Sequence, residues 1–199
     1  MLNAMFNTAV AGVPSFIPKM FDRAPVLPDH QIRTERLHLR QVNESDLVNF
    51  IELFSDSAVM RFIGIEAGYV PSYKEIEQMH SGAVQVWKTR GYGRWSMFDA
   101  ETGEFVGFCG FRSEQGKPEL ICALHERFWG LKLAAEAADA CLNYGYESLG
   151  FTEVKAFTRP NNRRARRVLD KLNAEFVNYV KFHGVEGAAY QLSPDSIEF

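Results

Sequence analysis

The sequence predicts a mixed α+β domain around one twisted sheet. Three observations carry this. Apolar residues alternate between Ile32 and Val42, short strands joined by tight turns run from Arg94 to His125, and helical spacing brackets that run. The order is strand, helices, antiparallel meander, helix, strand, helix and closing hairpin, which groups the elements around a single sheet. With 199 residues, 46% hydrophobic and 24% charged, the chain can fill one core, which excludes a disordered, collagenous or small disulfide-stapled protein.

Each element has a local cause. Ile32, Leu37, Leu39 and Val42 mark one half-buried strand with charges on its other face. Asn43-Glu-Ser-Asp offers caps for a helix carrying Leu47, Phe50, Ile51 and Phe54. Ser57 to Ile63 reads as a short helical piece and Gly64 to Ser72 as a loop. Ser72 with Glu75 is a capping box opening a helix whose Tyr73, Ile76, Met79, Ala83, Val86 and Trp87 share a stripe. Arg94–Ala100, Glu104–Arg112 and Glu119–His125 form the meander, with turns at Thr102-Gly103 and Gly116-Lys-Pro. Gly130–Leu149 is the longest helical pattern, its small residues allowing close approach to a sheet. Val154–Thr158 is a strand, Asn162–Leu172 a helix, and Phe176–Phe182 with Ala188–Leu192 the closing pair.

Residues 1–31 read as an arm, with Pro14, Pro18, Pro25 and Pro28 denying them a long helix, and residues 32–199 as the folded domain. The arm either lies on the domain or a partner subunit, or is a leader without function. Cys109, Cys122 and Cys141 fit neither a zinc knuckle nor a redox pair and read as reduced, buried thiols. No apolar run reaches the roughly 20 residues a membrane span needs, and the start lacks the basic flank of a signal peptide. The expected compartment is the cytoplasm. A net charge of −3 argues against wrapping nucleic acid, though local basic patches stay open.

Three features bear on chemistry. Glu119 to Ala137 runs from a strand through a Gly-containing turn into a long helix. The free amides of such a helix start can bind phosphate, with Arg127, Gly130 and Lys132 assisting; the plain alternative is a strand-to-helix connection. Arg163, Arg164, Arg166 and Arg167 crowd the start of another helix, against its dipole, so either an anion or nearby carboxylates compensate them. Glu119 stands in an apolar strand, where a raised pKa would suit a base, or at an edge in water. His125 follows at that strand's end. The five histidines show no metal-ligand or Ser-His-Asp spacing.

In order, Thr34-Glu-Arg-Leu-His-Leu-Arg, Val59-Met-Arg-Phe-Ile-Gly, Gly91-Tyr-Gly-Arg-Trp-Ser, Gly103-Glu-Phe-Val-Gly-Phe-Cys-Gly-Phe, Trp129-Gly-Leu-Lys-Leu-Ala-Ala-Glu-Ala and Pro160 to Leu172 resemble the GNAT superfamily of acyl-CoA-dependent N-acyltransferases, nearest its RimJ/RimL-like branch. The resemblance spans about residues 32 to 192. It implies a GNAT-like α+β domain, its twisted, mixed and mostly antiparallel sheet flanked by helices on both faces. It also implies acetyl-CoA (or a related acyl-CoA) as donor and a primary amine, of a small molecule or a protein N-terminus, as acceptor.

By the same resemblance, the strand ending near Leu124 parts from its neighbour and pairs with pantetheine, and an amide near Leu124 stabilises the oxyanion. The pyrophosphate rests on amides from Arg127 to Ala134, including Gly130, Leu131, Lys132 and Leu133, with Asn162 and Arg167 contacting CoA from the next helix. Glu119 is the expected base, with His125 behind it. Three departures stand out: Lys132 replaces the loop's last Gly/Ala, Ala165 a serine acid, and Leu169 a tyrosine acid. They motivate a rival reading, a catalytically inactive GNAT-fold binding or regulatory protein. The apolar arm and exposed strand edges are compatible with a homodimer.

Overall fold

A computed structural model describes residues 30–63, 69–114, 116–182 and 184–194. Its strands are β1 (Ile32–Arg33), β2 (Leu37–Gln41), β3 (Arg94–Asp99), β4 (Phe105–Glu114), β5 (Lys117–Leu124), β6 (Val154–Thr158), β7 (Glu175–Phe182) and β8 (Val185–Leu192). The helices are α1 (Leu47–Ser55), α2 (Ser57–Met60), α3 (Tyr73–Arg90), α4 (Leu133–Glu147) and α5 (Arg163–Lys171). All eight strands join one sheet in the order β1-β2-β3-β4-β5-β6-β8-β7. Among the described residues only the β5–β6 pair is parallel.

The two sheet faces bury different partners. Phe108 on β4 stacks on Phe50 of α1, ring centroids 5.6 Å apart, with Phe54 beside it. The next residue, Cys109, points the other way and lies beside Cys122 and the Cys141 of α4. Trp95 and Phe111 share that second face with Tyr144 of α4 and with Phe151. Helices therefore flank both faces. The hydrogen bond to Cys109, together with burial, pushes the Cys122 thiol well up, so this cluster is packing rather than a source of thiolate.

The sequence expectation holds for the meander, for β6, for the capping box at Ser72 and for a cap at Asn43. Ser72 Oγ accepts from the Glu75 amide while Glu75 accepts from the Ser72 amide, and Asn43 and Asp46 repeat the arrangement. Four points differ. The single strand expected at Ile32–Val42 is a hairpin: Thr34 and Leu37 close a turn, and Ile32 pairs with Leu39. The helix expected from Gly130 begins at Leu133, because Gly130 and Lys132 are left-handed. Tyr73, placed on the apolar stripe of α3, is exposed, and Val84 is buried there instead. The boundary placed at residue 31 is crossed by His30, which packs on Trp87 and bonds Tyr144 while its carbonyl accepts from the Trp95 indole. Residues 1–29 of the expected arm, and residues 64–68 of the expected loop, lie outside the described residues. At the far sheet edge, β7 exposes Phe176, Val177 and Tyr179.

One buried ion pair ties the first elements together. Asp46 is fully buried and accepts from both Arg40 Nη atoms, Ser96 Oγ and the Asn43 amide. Removing a buried partner strands the rest, so Asp46→Ala is expected to cost about 3 kcal/mol. Urea unfolding of the two proteins checks this.

Candidate active site

The parallel ladder between β5 and β6 is short. It pairs Glu119 with Lys155 and Leu120 with Ala156, then stops, while β5 runs on to Leu124 and β6 to Thr158. On its other side β5 stays zipped to β4, where the His125 amide donates to the Val106 carbonyl at 3.0 Å. Backbone groups alternate along an antiparallel pair, so the amides of Cys122 and Leu124 point away from β4, into the gap. The Leu124 carbonyl is already taken: the Trp129 indole donates to it at 2.9 Å. What remains is a strip of free strand edge, the kind of surface that accepts an extended chain.

The strip leads into a turn that leaves the start of α4 uncapped. After a 3₁₀ turn over Glu126–Phe128, Gly130 adopts φ 82° and Lys132 φ 65°, and α4 starts at Leu133 with no side-chain cap. The first amides of α4, at Leu133 and Ala134, have no partner one turn back and sit at the positive end of the helix dipole. Leu131 and Lys132 are both exposed. Arg36, in the β1–β2 turn, locks this loop: its Nη1 donates to the Leu131 carbonyl at 2.8 Å, and its Nε donates to Glu136 of α4 at 2.8 Å. Thr34 Oγ1 also donates to Glu136. Burial raises the Glu136 carboxyl, but the hydrogen bonds from Thr34 and Arg36 outweigh it and hold the pKa below the usual range.

The other expected cofactor residues are placed as follows. Arg127 turns to Glu104 at 2.6 Å and Glu52 at 3.7 Å, so the carboxylates already offset its charge. Asn162 caps α5, its Oδ1 accepting from the Ala165 amide at 3.1 Å. Arg164 lies over the Trp129 ring at 4.7 Å, which brings the start of α5 against the loop before α4. Arg167 is exposed, whereas Arg166 bonds the Tyr190 hydroxyl. Leu169 is buried.

The structure does not bring Glu119 and His125 together. They stand at opposite ends of the described run, six residues apart, which is about 20 Å of strand. Glu119 is 3% exposed and accepts from Arg112 Nη2 at 2.7 Å. Burial raises its pKa, and the Arg112 charge opposes that without cancelling it. His125 is buried, and its Nε2 has no hydrogen-bond partner. Burial, then the Arg127 charge, lowers its pKa against the pull of Glu52, Asp56 and Glu104, which keeps it neutral near pH 7. Among the described residues no group of three or more His, Cys, Asp or Glu is placed to hold a metal ion, and no helix is long and apolar enough to cross a membrane.

Sequence reasoning missed the Cys122 amide, the Trp129 indole and the Arg36–Glu136 lock. The first needed strand register. The second is a local contact that needed the path of the turn after β5, and the third needed contacts between residues about a hundred positions apart, although Thr34, Arg36 and Glu136 all lie in the motifs quoted above.

A profile of the acetyltransferase (GNAT) domain matches residues 36–175, and the chain belongs to that family. Relatives include YkkB of Bacillus subtilis (strain 168), 30% identical over 168 residues that cover 79% of this chain and 92% of YkkB. The N-acetyltransferase p20 of Bacillus licheniformis is 28% identical over 70% of this chain and 79% of its own. Among solved structures, RimL, a ribosomal L7/L12 α-N-protein acetyltransferase in complex with coenzyme A, superposes with TM-score 0.71 at 18% identity, covering 84% of this chain and 99% of RimL. A GNAT-family acetyltransferase from Bacillus anthracis gives 0.70 at 22% identity, covering 83% and 99%. The protein is accordingly an acetyltransferase of the kind that uses acetyl-CoA.

Two substitutions probe the turn. A side-chain-bearing residue pays about 1–2 kcal/mol to be left-handed, and glycine forfeits about 0.5–1 kcal/mol through its freer unfolded chain. Lys132→Gly should therefore stabilise the protein by roughly 0.5–1 kcal/mol, read as a raised Tm. Arg36→Ala should weaken CoA binding about tenfold in calorimetry while leaving acetyl-pantetheine, which lacks the pyrophosphate, unaffected.

Proposed function

We propose that the protein moves an acetyl group from acetyl-CoA to the primary amine of a small molecule or a protein N-terminus, by direct attack. The observation that carries this is the parting of β5 from β6 beside the uncapped start of α4. The residues present fit the donor: the Cys122 and Leu124 amides for its extended arm, and the turn from Arg127 to Ala134 for its pyrophosphate. Asn162, Arg164 and Arg167 border the same mouth from α5. The bound donor supplies an activated acyl carbonyl.

An arm entering from the helix end passes Leu124 before Cys122, so the Cys122 amide is the donor placed for charge building on the carbonyl oxygen. Glu119, on the strand just beyond, takes a proton from the acceptor ammonium, directly or through water. The amine nitrogen then bonds to the acyl carbon as the carbon–sulfur bond breaks. In sum, an alkylammonium and acetyl-CoA give an N-alkylacetamide, CoA thiol and one proton. Ala165 and Leu169 carry no ionisable proton, so the departing thiolate is protonated by solvent.

Those two residues also favour a second reading, a GNAT-fold module that binds CoA without turnover. Calorimetric titration with CoA and acetyl-CoA, followed by an amine screen, separates the two. Binding with acetyl transfer supports the enzyme, and binding without transfer to any amine supports the module. Absence of binding sinks both. The free thiols of Cys109, Cys122 and Cys141 suit a reducing compartment such as the cytoplasm.

The pH profile tests the base. Because the folded-state pKa of Glu119 is raised, the acidic limb of kcat/KM should lie above 4.5, and activity should be lost as pH falls through it. Glu119→Gln should abolish that limb. Arg112→Gln, which removes the opposing charge, should move the limb to higher pH.

A further inference from the structure

Arg94 opens β3 opposite Gly110, on the sheet face that also carries Phe108, Arg112 and Glu119. The long Arg94 side chain reaches across to β4. Its guanidinium lies over the Phe108 ring, 5.2 Å from the centroid. There Nη1 is buried and has no hydrogen-bond partner. Burial, followed by repulsion from Arg112, depresses its pKa to about 10. That leaves it a cation at neutral pH.

The two buried carboxylates on this face are already engaged. Glu119 is bound to Arg112. Asp46, beside Ser96 on the same strand face, serves Arg40, Ser96 and Asn43. Arg94 thus lies near Arg112 while Glu119 and Asp46 are both engaged elsewhere, and a desolvated guanidinium without a counter-charge is costly. Its position is informative too. Phe108 pairs with Ala123, between the free amides of Cys122 and Leu124, so the guanidinium hangs level with the cleft, on the side where Glu119 faces.

We propose that Arg94 receives a carboxylate of the acceptor, so that the acceptor is a small amino acid, carrying amine and carboxylate in one molecule. This rests on the acyltransferase reading. The carboxylate supplies the missing counter-charge and fixes one end of the acceptor, while the amine end turns to the cleft and to Glu119. The planar guanidinium fork suits such a partner better than a lysine would.

The test pairs α-, β- and γ-amino acids with their carboxamides, using wild type, Arg94→Met and Arg94→Lys. In wild type, one chain length should show kcat/KM for the acid about tenfold to a hundredfold above its amide. In Arg94→Met that ratio should fall to near one, and Arg94→Lys should recover part of it. The same acid, and not the amide, should raise the Tm of the CoA-loaded wild type. Without ligand, Arg94→Met should melt about 2–4 °C higher, because an unpaired desolvated charge has been replaced by an apolar side chain.

Other outcomes overturn the proposal. Equal rates for acid and amide in wild type, or a preference that survives in Arg94→Met, remove Arg94 from acceptor recognition. A lower Tm for Arg94→Met makes the arginine a structural element with an internal partner. If CoA binds but no acid is acetylated or stabilises the protein, the Arg94 proposal falls while the donor site stands. If CoA does not bind, the acyltransferase reading falls and takes the proposal with it.

Discussion

The interruption of one backbone ladder governs this molecule. A sheet normally satisfies the amides of its interior strands on both sides, yet β5 is paired on both sides only as far as Leu120. Beyond it, strand edge is exposed in the middle of the sheet rather than at its rim. The helices respond to the same event. Both α4 and α5 follow a strand that has reached the gap, so their positive ends gather there. In the proposed function the donor arm and its phosphates meet two kinds of unsatisfied amide, one from a strand and one from a helix start, without any specialised side chain.

This division explains why the donor side tolerates odd residues. Lys132 replaces a small residue and still adopts the left-handed backbone that the turn requires. Asn173 does the same at the end of α5, with φ 51°. Arg127 is drawn off by Glu104 and Glu52, yet the amides around it keep their places. In the proposed acceptor site, selectivity rests on side chains instead, on the face where Arg94, Arg112 and Glu119 stand.

Much of the fold was legible because its signals are local. The capping box at Ser72, the cap at Asn43, the turn at Gly103 and the alternation in β6 each depend on residues a few positions apart. Failures came where distant residues decide. The strand at Ile32 breaks because Glu136, about a hundred positions on, gathers Thr34 and Arg36 into a turn. Tyr73 has helical spacing, but nothing packs over that first turn of α3 well enough to bury it. In the site, the start of α5 could be placed from Asn162 and the spacing of Glu119 and His125 from the strand expected there, whereas the left-handed turn that delays α4 to Leu133 emerges only from the backbone. The unmatched charge of Arg94 is invisible in sequence, since it depends on which carboxylates are already engaged.

The short parallel ladder has a consequence for how the sheet holds together. Strands β1 to β5 zip to sequence neighbours, and β7 and β8 form a hairpin that takes up β6. The ladder joining these two halves contains only the Glu119–Lys155 and Leu120–Ala156 pairs. It also closes the segment from Leu124 to Val154, which adds a loop-entropy cost to forming so short a ladder. A molecule lodged in the cleft touches both halves and acts as a splint across the seam. Amide exchange in β6 and β8 would then slow on loading more than in β2 and β3, because occupancy opposes the parting of the halves rather than unfolding within either one.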